Sequence, residues 1–269
     1  MLIVVKMGGS ILKEGASSEL VSDLKNVLSE NKLILVHGGG IEVTEIASKL
    51  GKEQKFVVSP DGFRSRYTDR DTIEIYLMVM AGRINKQIVS ALLSQGIPAL
   101  GLSGLDGLLL QAERKKRLIV VDENGRKKVI DGGYTGRINK VNCDLLELLI
   151  ENGYLPVITP IAISEEFELL NVDGDRTAAC IAGNLKADRL VLLTDVEGLI
   201  LNGGLVPRIG VSDAKEILRK IGQGMITKVH AAIEALNLGV GEVLISSGHG
   251  KFSISSPLKH ECGTVITRE

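Results

Sequence analysis

Short apolar runs of four to six residues alternate with amphipathic stretches of ten to fifteen over most of this chain. That rhythm constrains the fold more than any other feature. It is the pattern of successive strand–helix–strand units, and so of an α/β protein with a mostly parallel sheet. Strands are predicted at residues 2–6, 32–36, 97–101, 155–159, 189–193 and 242–245. Helices are predicted at 17–30, 41–51, 70–95, 143–152, 175–186, 212–221 and 225–238. In the first helix Leu20, Val21, Leu24, Val27 and Leu28 recur at the i, i+3/i+4 spacing of one buried face. The rhythm breaks over 108–131, which reads as an antiparallel hairpin, with Asn124-Gly125 supplying the positive φ angles of a tight turn. A lobe boundary is expected near 161–171, separating residues 1–165 from 166–269.

A chain of 269 residues, 44% hydrophobic and 24% charged, can bury a full core. Its net charge of −1 argues against nucleic acid as an electrostatic partner, and 3% aromatics with no Trp argues against base stacking. No apolar run approaches the ~20 residues needed to cross a membrane. The chain starts on a strand, with neither a basic leader nor a cleavage signal. Cys143, Cys180 and Cys262 are far apart and lack ligand spacing. A reduced, cytoplasmic setting and no thiolate metal site are therefore expected.

Two lysines stand among glycines at opposite ends of the chain. Lys6 ends an apolar strand and runs into Gly8-Gly9, and Lys228 follows Gly222-Gln223-Gly224-Met225 at the start of a helix. A second glycine loop, His37-Gly38-Gly39-Gly40, lies between them. Without side chains, such loops let backbone N–H groups approach an anion at a helix N-terminus; a plain strand-to-helix turn is the alternative. Neither loop matches a dinucleotide or Walker pattern. Lys6 alone reads more readily as an edge residue, and Lys228 alone as a surface residue. Asn171-Val172-Asp173-Gly174-Asp175 reads as a helix cap, or as a group in which Asn171 meets a substrate and Asp175 holds both ammonium groups. Arg64-Ser65-Arg66-Tyr67-Thr68-Asp69 precedes the long helix, where an arginine suits a carboxylate. Thr194-Asp195 through Gly198 ends a strand and suits a nucleotide's ribose and base edge, or is an ordinary turn. Phosphoryl transfer requires positioning and charge neutralisation, and this set supplies both without a P-loop.

The segments VVKMGGS, VHGGG, SRYTDRDT, NVDGD, LLTDVEGL and GMITK resemble, in order and spacing, the motifs of the amino-acid kinase family, from residue 2 to nearly 269. The chain looks most like the acylphosphate-forming branch, which holds N-acetylglutamate kinase and the [LysW]-aminoadipate/[LysW]-glutamate kinases. The resemblance implies a three-layer α/β/α sandwich, ATP with Mg²⁺ as phosphoryl donor, no metal bound directly by the chain, and a homodimer. It further implies that Lys6 and Lys228 stabilise the transferring phosphoryl group and that Asp175 organises them. Gly39, Gly40, Arg66 and Asn171 would bind the acceptor. Gly8, Gly9, Thr194, Asp195, Gly198 and Met225 would line the ATP site. Residues 1–165 would then form the acceptor lobe and 166–269 the ATP lobe.

Gly133-Tyr134-Thr135-Gly136 resembles the element found in members acting on an amino-group carrier protein. Residues 113–140 hold nine Lys/Arg against four Asp/Glu, an asymmetry that suits an acidic protein partner or simply a solvated hairpin. Lys115, Lys116, Arg117, Lys127 and Lys128 are the candidate docking residues for a LysW-type carrier. The remaining readings are a kinase of free N-acetylglutamate and a non-catalytic regulator. Lacking an extra N-terminal helix, the chain is expected to have no arginine feedback by that route. The apolar face of the long helix, with Ile73, Leu77 and Met80, is a candidate dimer interface or else core.

Overall fold

The computed structural model describes residues 1–12, 16–218 and 220–269. An eight-stranded sheet runs through it in the order Arg208–Gly210, Thr264–Thr267, Glu242–Ser247, Arg189–Thr194, Leu2–Met7, Lys32–His37, Leu155–Thr159, Ala99–Ser103. Every neighbouring pair is parallel except Glu242–Ser247 with Thr264–Thr267. Successive side chains of a strand face opposite ways, so each central strand feeds two cores. Val4, Ile34, Ile158, Leu190 and Val243 pack against the helices Cys143–Glu151, Gly174–Asn184 and Gln223–Leu238. Ile3, Val5, Leu35, Val157 and Leu193 pack on the other face, against Ser18–Leu28, Gly40–Lys49 and the long helix. The result is the expected three-layer α/β/α sandwich.

The long helix, predicted as uniform over 70–95, has three parts. Arg70–Leu77 and Asn85–Ser94 are α-helical, and Met78–Ile84 between them is π-helical. The extra residue per turn rotates the rest of the helix about its axis, and hydrophobic periodicity does not report it. Ile73 and Met80 are 2% and 0% exposed, and Leu77 packs against the same cluster. That face is monomer core.

The predicted hairpin 108–131 splits in two. Leu110–Arg114 pairs with Gly136–Val141 in a separate four-stranded sheet that also holds Ile161–Ile163 and Leu169–Asn171. The hairpin proper is Arg117–Val121 with Lys127–Asp131. Its loop is not the two-residue turn expected from Asn124-Gly125. Only Gly125 takes a positive φ, of 75°, and Asp122 Oδ1 accepts from the Asn124 and Arg126 amides. An aspartate that satisfies the loop backbone favours the longer turn.

Other differences are at margins. The strand predicted at 97–101 forms at Ala99–Ser103, because Pro98 has no amide to give a ladder. The helix predicted at 212–221 is described as Val211–Ile217, and position 219 lies outside the described residues. The short strands Arg208–Gly210 and Thr264–Thr267 had no predicted counterpart. Both are too brief for a periodic signal.

Candidate active site

Strand Leu2–Met7 lies at the centre of the sheet and delivers Lys6 at its carboxyl end, where ligands of open α/β sheets bind. Helix Gly174–Asn184 begins beneath it, capped by Asp173 through the Arg176 amide at 2.9 Å. Asp175 in the first turn of that helix points at Lys6, and Lys228 comes from helix Gln223–Leu238. Lys6 Nζ lies 2.7 Å from Asp175 Oδ1, and Lys228 Nζ lies 3.1 Å from Oδ2. Two lysines from opposite ends of the chain are thus joined by one carboxylate.

Burial alone would push the Asp175 carboxyl up, but Lys6 and then Lys228 overcome it and hold it at about 2. Burial likewise works against the Lys6 ammonium, and Asp175 more than compensates, leaving it raised. Lys6 and Asp175 are therefore both charged at neutral pH, and Lys228 shares the same carboxylate. Lys6 and Lys228 line a cavity of about 370 Å³ together with Gly8, Gly9, Thr194, Asp195, Gly198 and Met225. The structure therefore brings all of the predicted nucleotide residues to one cavity, and adds Ser10, Val196, Ile200 and Ile221 to its wall.

The two glycine loops touch. A Cβ on Gly9 would sit 2.8 Å from the Gly39 amide nitrogen, and one on Gly38 would sit 2.8 Å from that of Gly9. Backbone cannot yield as a flexible side chain can. Gly9 and Gly38 are thus fixed by loop-on-loop packing, whatever binds above them. Gly40 opens helix Gly40–Lys49, and a Cβ there would meet only Arg66 Nη2, at 3.6 Å.

Arg66 is at this glycine loop, but its guanidinium is already engaged. Nη2 donates to the Gly40 carbonyl at 2.7 Å and to Thr44 Oγ1 at 2.9 Å, and Nη1 donates to Gln54 Oε1. Nε and one Nη1 hydrogen have no hydrogen-bond partner among the described residues. Arg64, two residues earlier, is exposed and stacks on Phe56 at 4.0 Å. Arg66 is buried where Arg64 is exposed, although its guanidinium lies over the same Phe56 ring at 4.9 Å. Thr44 and Gln54 were not singled out from the sequence, where nothing marks them.

Asn171 reaches the same region from the small sheet. Its Nδ2 donates to Thr68 Oγ1 at 3.0 Å, and its amide donates to the Tyr134 carbonyl at 2.8 Å. Tyr134 in turn donates its amide to the Thr68 carbonyl at 2.7 Å. The Tyr134-Thr135-Gly136 element is thereby laced to both Asn171 and the Arg66-Tyr67-Thr68 segment. Of the five candidate docking residues, Lys116, Arg117, Lys127 and Lys128 are exposed. Lys115 is half-buried, and its ammonium is pushed below the usual lysine range by burial, then by Arg176 and Arg137. It precedes the hairpin strands rather than lying on them.

The Amino acid kinase family model matches residues 1–247. A protein of Sulfolobus acidocaldarius, named [LysW]-aminoadipate/[LysW]-glutamate kinase, is 46% identical over 98% of this chain and 100% of its own. One of Saccharolobus solfataricus with the same name is 44% identical over 98% and 99%. Among solved structures, smu.665 of Streptococcus mutans superposes with a TM-score of 0.82 at 25% identity, over 100% of this chain and 99% of that one. N-acetylglutamate synthase of Neisseria gonorrhoeae shares the fold at a TM-score of 0.81 and 23% identity, over 100% of this chain and 59% of its own. With that match and the paired lysines on Asp175, the chain belongs to the amino acid kinase family.

Proposed function

We propose that the chain transfers the γ-phosphoryl group of MgATP to the side-chain carboxylate of 2-aminoadipate, glutamate or both, held through the α-amino group on a small acidic carrier protein. The product is an acyl phosphate for amino-acid biosynthesis. Relatives 44–46% identical over nearly their full length are named for this activity. The observation that carries the reading is the buried Asp175 carboxylate holding Lys6 and Lys228 beside the cavity.

The nucleotide's phosphates would lie toward Lys6, Lys228 and the Gly8-Gly9 amides, with Thr194, Asp195, Gly198 and Met225 around the nucleoside. Mg²⁺ arriving with ATP would supply charge neutralisation of the phosphates, beside the Lys6 and Lys228 ammonium groups. Among the described residues no group of three or more His, Cys, Asp or Glu could hold a metal. The acceptor carboxylate is ionised at neutral pH, so it attacks without a base. Asp175, held at about 2, holds no proton to give at neutral pH. Its work is to keep two ammonium groups aimed where charge develops on the transferred phosphoryl group. Gly39, Gly40, Arg66 and Asn171 would hold the acceptor on residues 1–165 and its border, with the nucleotide mainly on 166–269.

The hairpin Arg117–Asp131 supports the carrier. Ile119 and Val129 are cross-strand partners, 55% and 58% exposed, with Lys127 and Arg117 on the same two strands. An exposed apolar pair with a basic rim suits an acidic protein surface. The deciding experiment measures ADP release with MgATP on carrier-linked aminoadipate, carrier-linked glutamate and free N-acetylglutamate. Turnover on the carrier-linked acids alone is expected. Turnover on free N-acetylglutamate at a comparable kcat/KM would replace this reading with that of a free-substrate kinase.

A further inference from the structure

Beneath the second glycine loop lies a buried polar cluster that the phosphoryl-transfer reading does not use. His37 ends its strand with no exposed surface. Its Nδ1 lies 2.9 Å from the Gly38 carbonyl, and its Nε2 lies 2.9 Å from Thr159 Oγ1 and 3.2 Å from Asn85 Nδ2. Asn85 Nδ2 also donates to the Val157 carbonyl at 2.9 Å, and Asn85 Oδ1 accepts from Lys86 Nζ at 3.0 Å.

Only one tautomer satisfies every partner. A carbonyl can only accept, so Nδ1 must carry the hydrogen that meets Gly38. Nε2 is then an acceptor, and both the Thr159 hydroxyl and the Asn85 amide can donate to it. A second proton would put an N–H against the Asn85 NH₂. Burial, opposed by the Gly38 bond and aided by the Lys86 ammonium, pushes the imidazole down to about 4. The ring is neutral at working pH.

The cluster joins parts of the molecule that must agree. Thr159 leads to Pro160, whose carbonyl accepts from the Val172 amide, just before Asp173 and Asp175. Asn85 comes directly after the π-helical turn, and that turn's Met80 and Ile84 occupy the space where a Gly39 Cβ would be, at 2.7 and 2.3 Å. We infer that His37 is a positioning residue for the acceptor loop: its Nδ1–H fixes the Gly38 peptide, and so the direction in which Gly39 and Gly40 present their amides to the acceptor. The inference rests on the acceptor assignment above for its kinetic effect but not for its tautomer.

Two substitutions separate the ring nitrogens, since an asparagine amide can reach the Nδ1 position and a glutamine amide the Nε2 position. His37→Gln loses the donor to Gly38 and is expected to raise the acceptor KM about tenfold, the scale of one lost hydrogen bond, with the MgATP KM within about twofold of wild type. His37→Asn keeps that donor and is expected to stay within about threefold for both substrates. Equal KM changes in the two variants, no change in either, or a MgATP KM that moves with the acceptor KM would overturn the inference. Imidazole ¹⁵N NMR on the wild-type protein covers the case of poor folding by a variant. An Nδ1–H resonance is expected, and an Nε2–H resonance would overturn it without any acceptor present. A wild-type protein with the expected tautomer but no turnover on carrier-linked acids would sink the acceptor reading alone.

Discussion

The two ends of the cleft are made differently. At the nucleotide end three charged side chains hold one another, and the cavity around them is open. At the acceptor end the chief cation, Arg66, is spent largely on Gly40, Thr44 and Gln54 within the chain. The first end is poised by mutual attraction, with its lysines lining the cavity. The second is poised by hydrogen bonds that fix the backbone, and little of its side-chain capacity is free. Under the proposed function, charge would do the work where the phosphoryl group moves, and shape where the acceptor is selected.

The sharpest way to break this contrast is to remove charge from the first end. Lys6→Ala and Lys228→Ala are each expected to lower kcat about 10²-fold or more, as for loss of one transition-state donor. Steady-state turnover at saturating MgATP and acceptor reads this directly, and near-wild-type kcat in either variant would remove that lysine from the mechanism. Asp175→Asn should be as damaging to kcat and should also unfold more easily. It leaves the buried Lys6 and half-buried Lys228 ammonium groups without their shared carboxylate, with only Asp173 nearby, and breaking a buried pair costs about 3–5 kcal/mol.

Arg66→Ala tests the second end. The expected outcome is an acceptor KM raised by about tenfold or more, a MgATP KM nearly unchanged, and a lower melting temperature. The stability loss distinguishes it from a residue that only meets substrate, because the Gly40 carbonyl and Gln54 lose a partner. A raised KM with no thermal effect would mean that the three internal bonds contribute little.

The same contrast explains what the sequence could reveal. Lys6, Gly8, Gly9, Asp175, Thr194 and Lys228 were legible through the set of motifs they belong to, since Lys6 and Lys228 taken singly read as edge and surface residues. Strands were legible as far as the apolar runs were long. The acceptor end was only partly so. Arg66 could be placed beside the loop, but not its commitments to Thr44 and Gln54, which lie 22 and 12 positions away. His37 was visible only as the first letter of a glycine loop, since its partners Thr159 and Asn85 arrive from other elements. The π-helical turn at Met78–Ile84 leaves no mark in hydrophobic spacing. Long-range hydrogen bonds decide those features, and residue patterns carry no record of them.

A milder perturbation probes the carrier rather than the cleft. Reversing the charge of Lys127 and Lys128 is expected to raise the KM for a carrier-linked acceptor about tenfold, to make that KM less sensitive to salt than in the wild type, and to leave the MgATP KM alone. An unchanged KM would return the hairpin to the role of a solvated surface.

The smallest expected effect is the pH dependence of the Asp175 cluster. The Asp175 carboxyl is depressed from the ordinary 3.8 to about 2 in the folded chain. Its contribution to stability is therefore complete above about pH 4 and is lost as the pH falls toward 2. Lys6 is raised above the ordinary 10.5, so its contribution is complete below that value and fades only as the pH rises through the higher folded pKa. Between about pH 5 and 9 Asp175 and Lys6 should themselves add no slope to stability, and any slope from the cluster would come from Asp173, whose carboxyl is pushed up by burial and then by Asp175. Urea unfolding of the wild type and Asp175→Asn across this range should give a constant difference in stability. Below about pH 4 the difference should shrink, because the wild-type carboxylate is being protonated and the variant has none to protonate. A difference that changes between pH 6 and 8 would show that a carboxyl of this cluster, Asp175 or its raised neighbour Asp173, titrates near neutrality. The nucleotide end would then be held by a titrating group rather than by a fixed arrangement of charge.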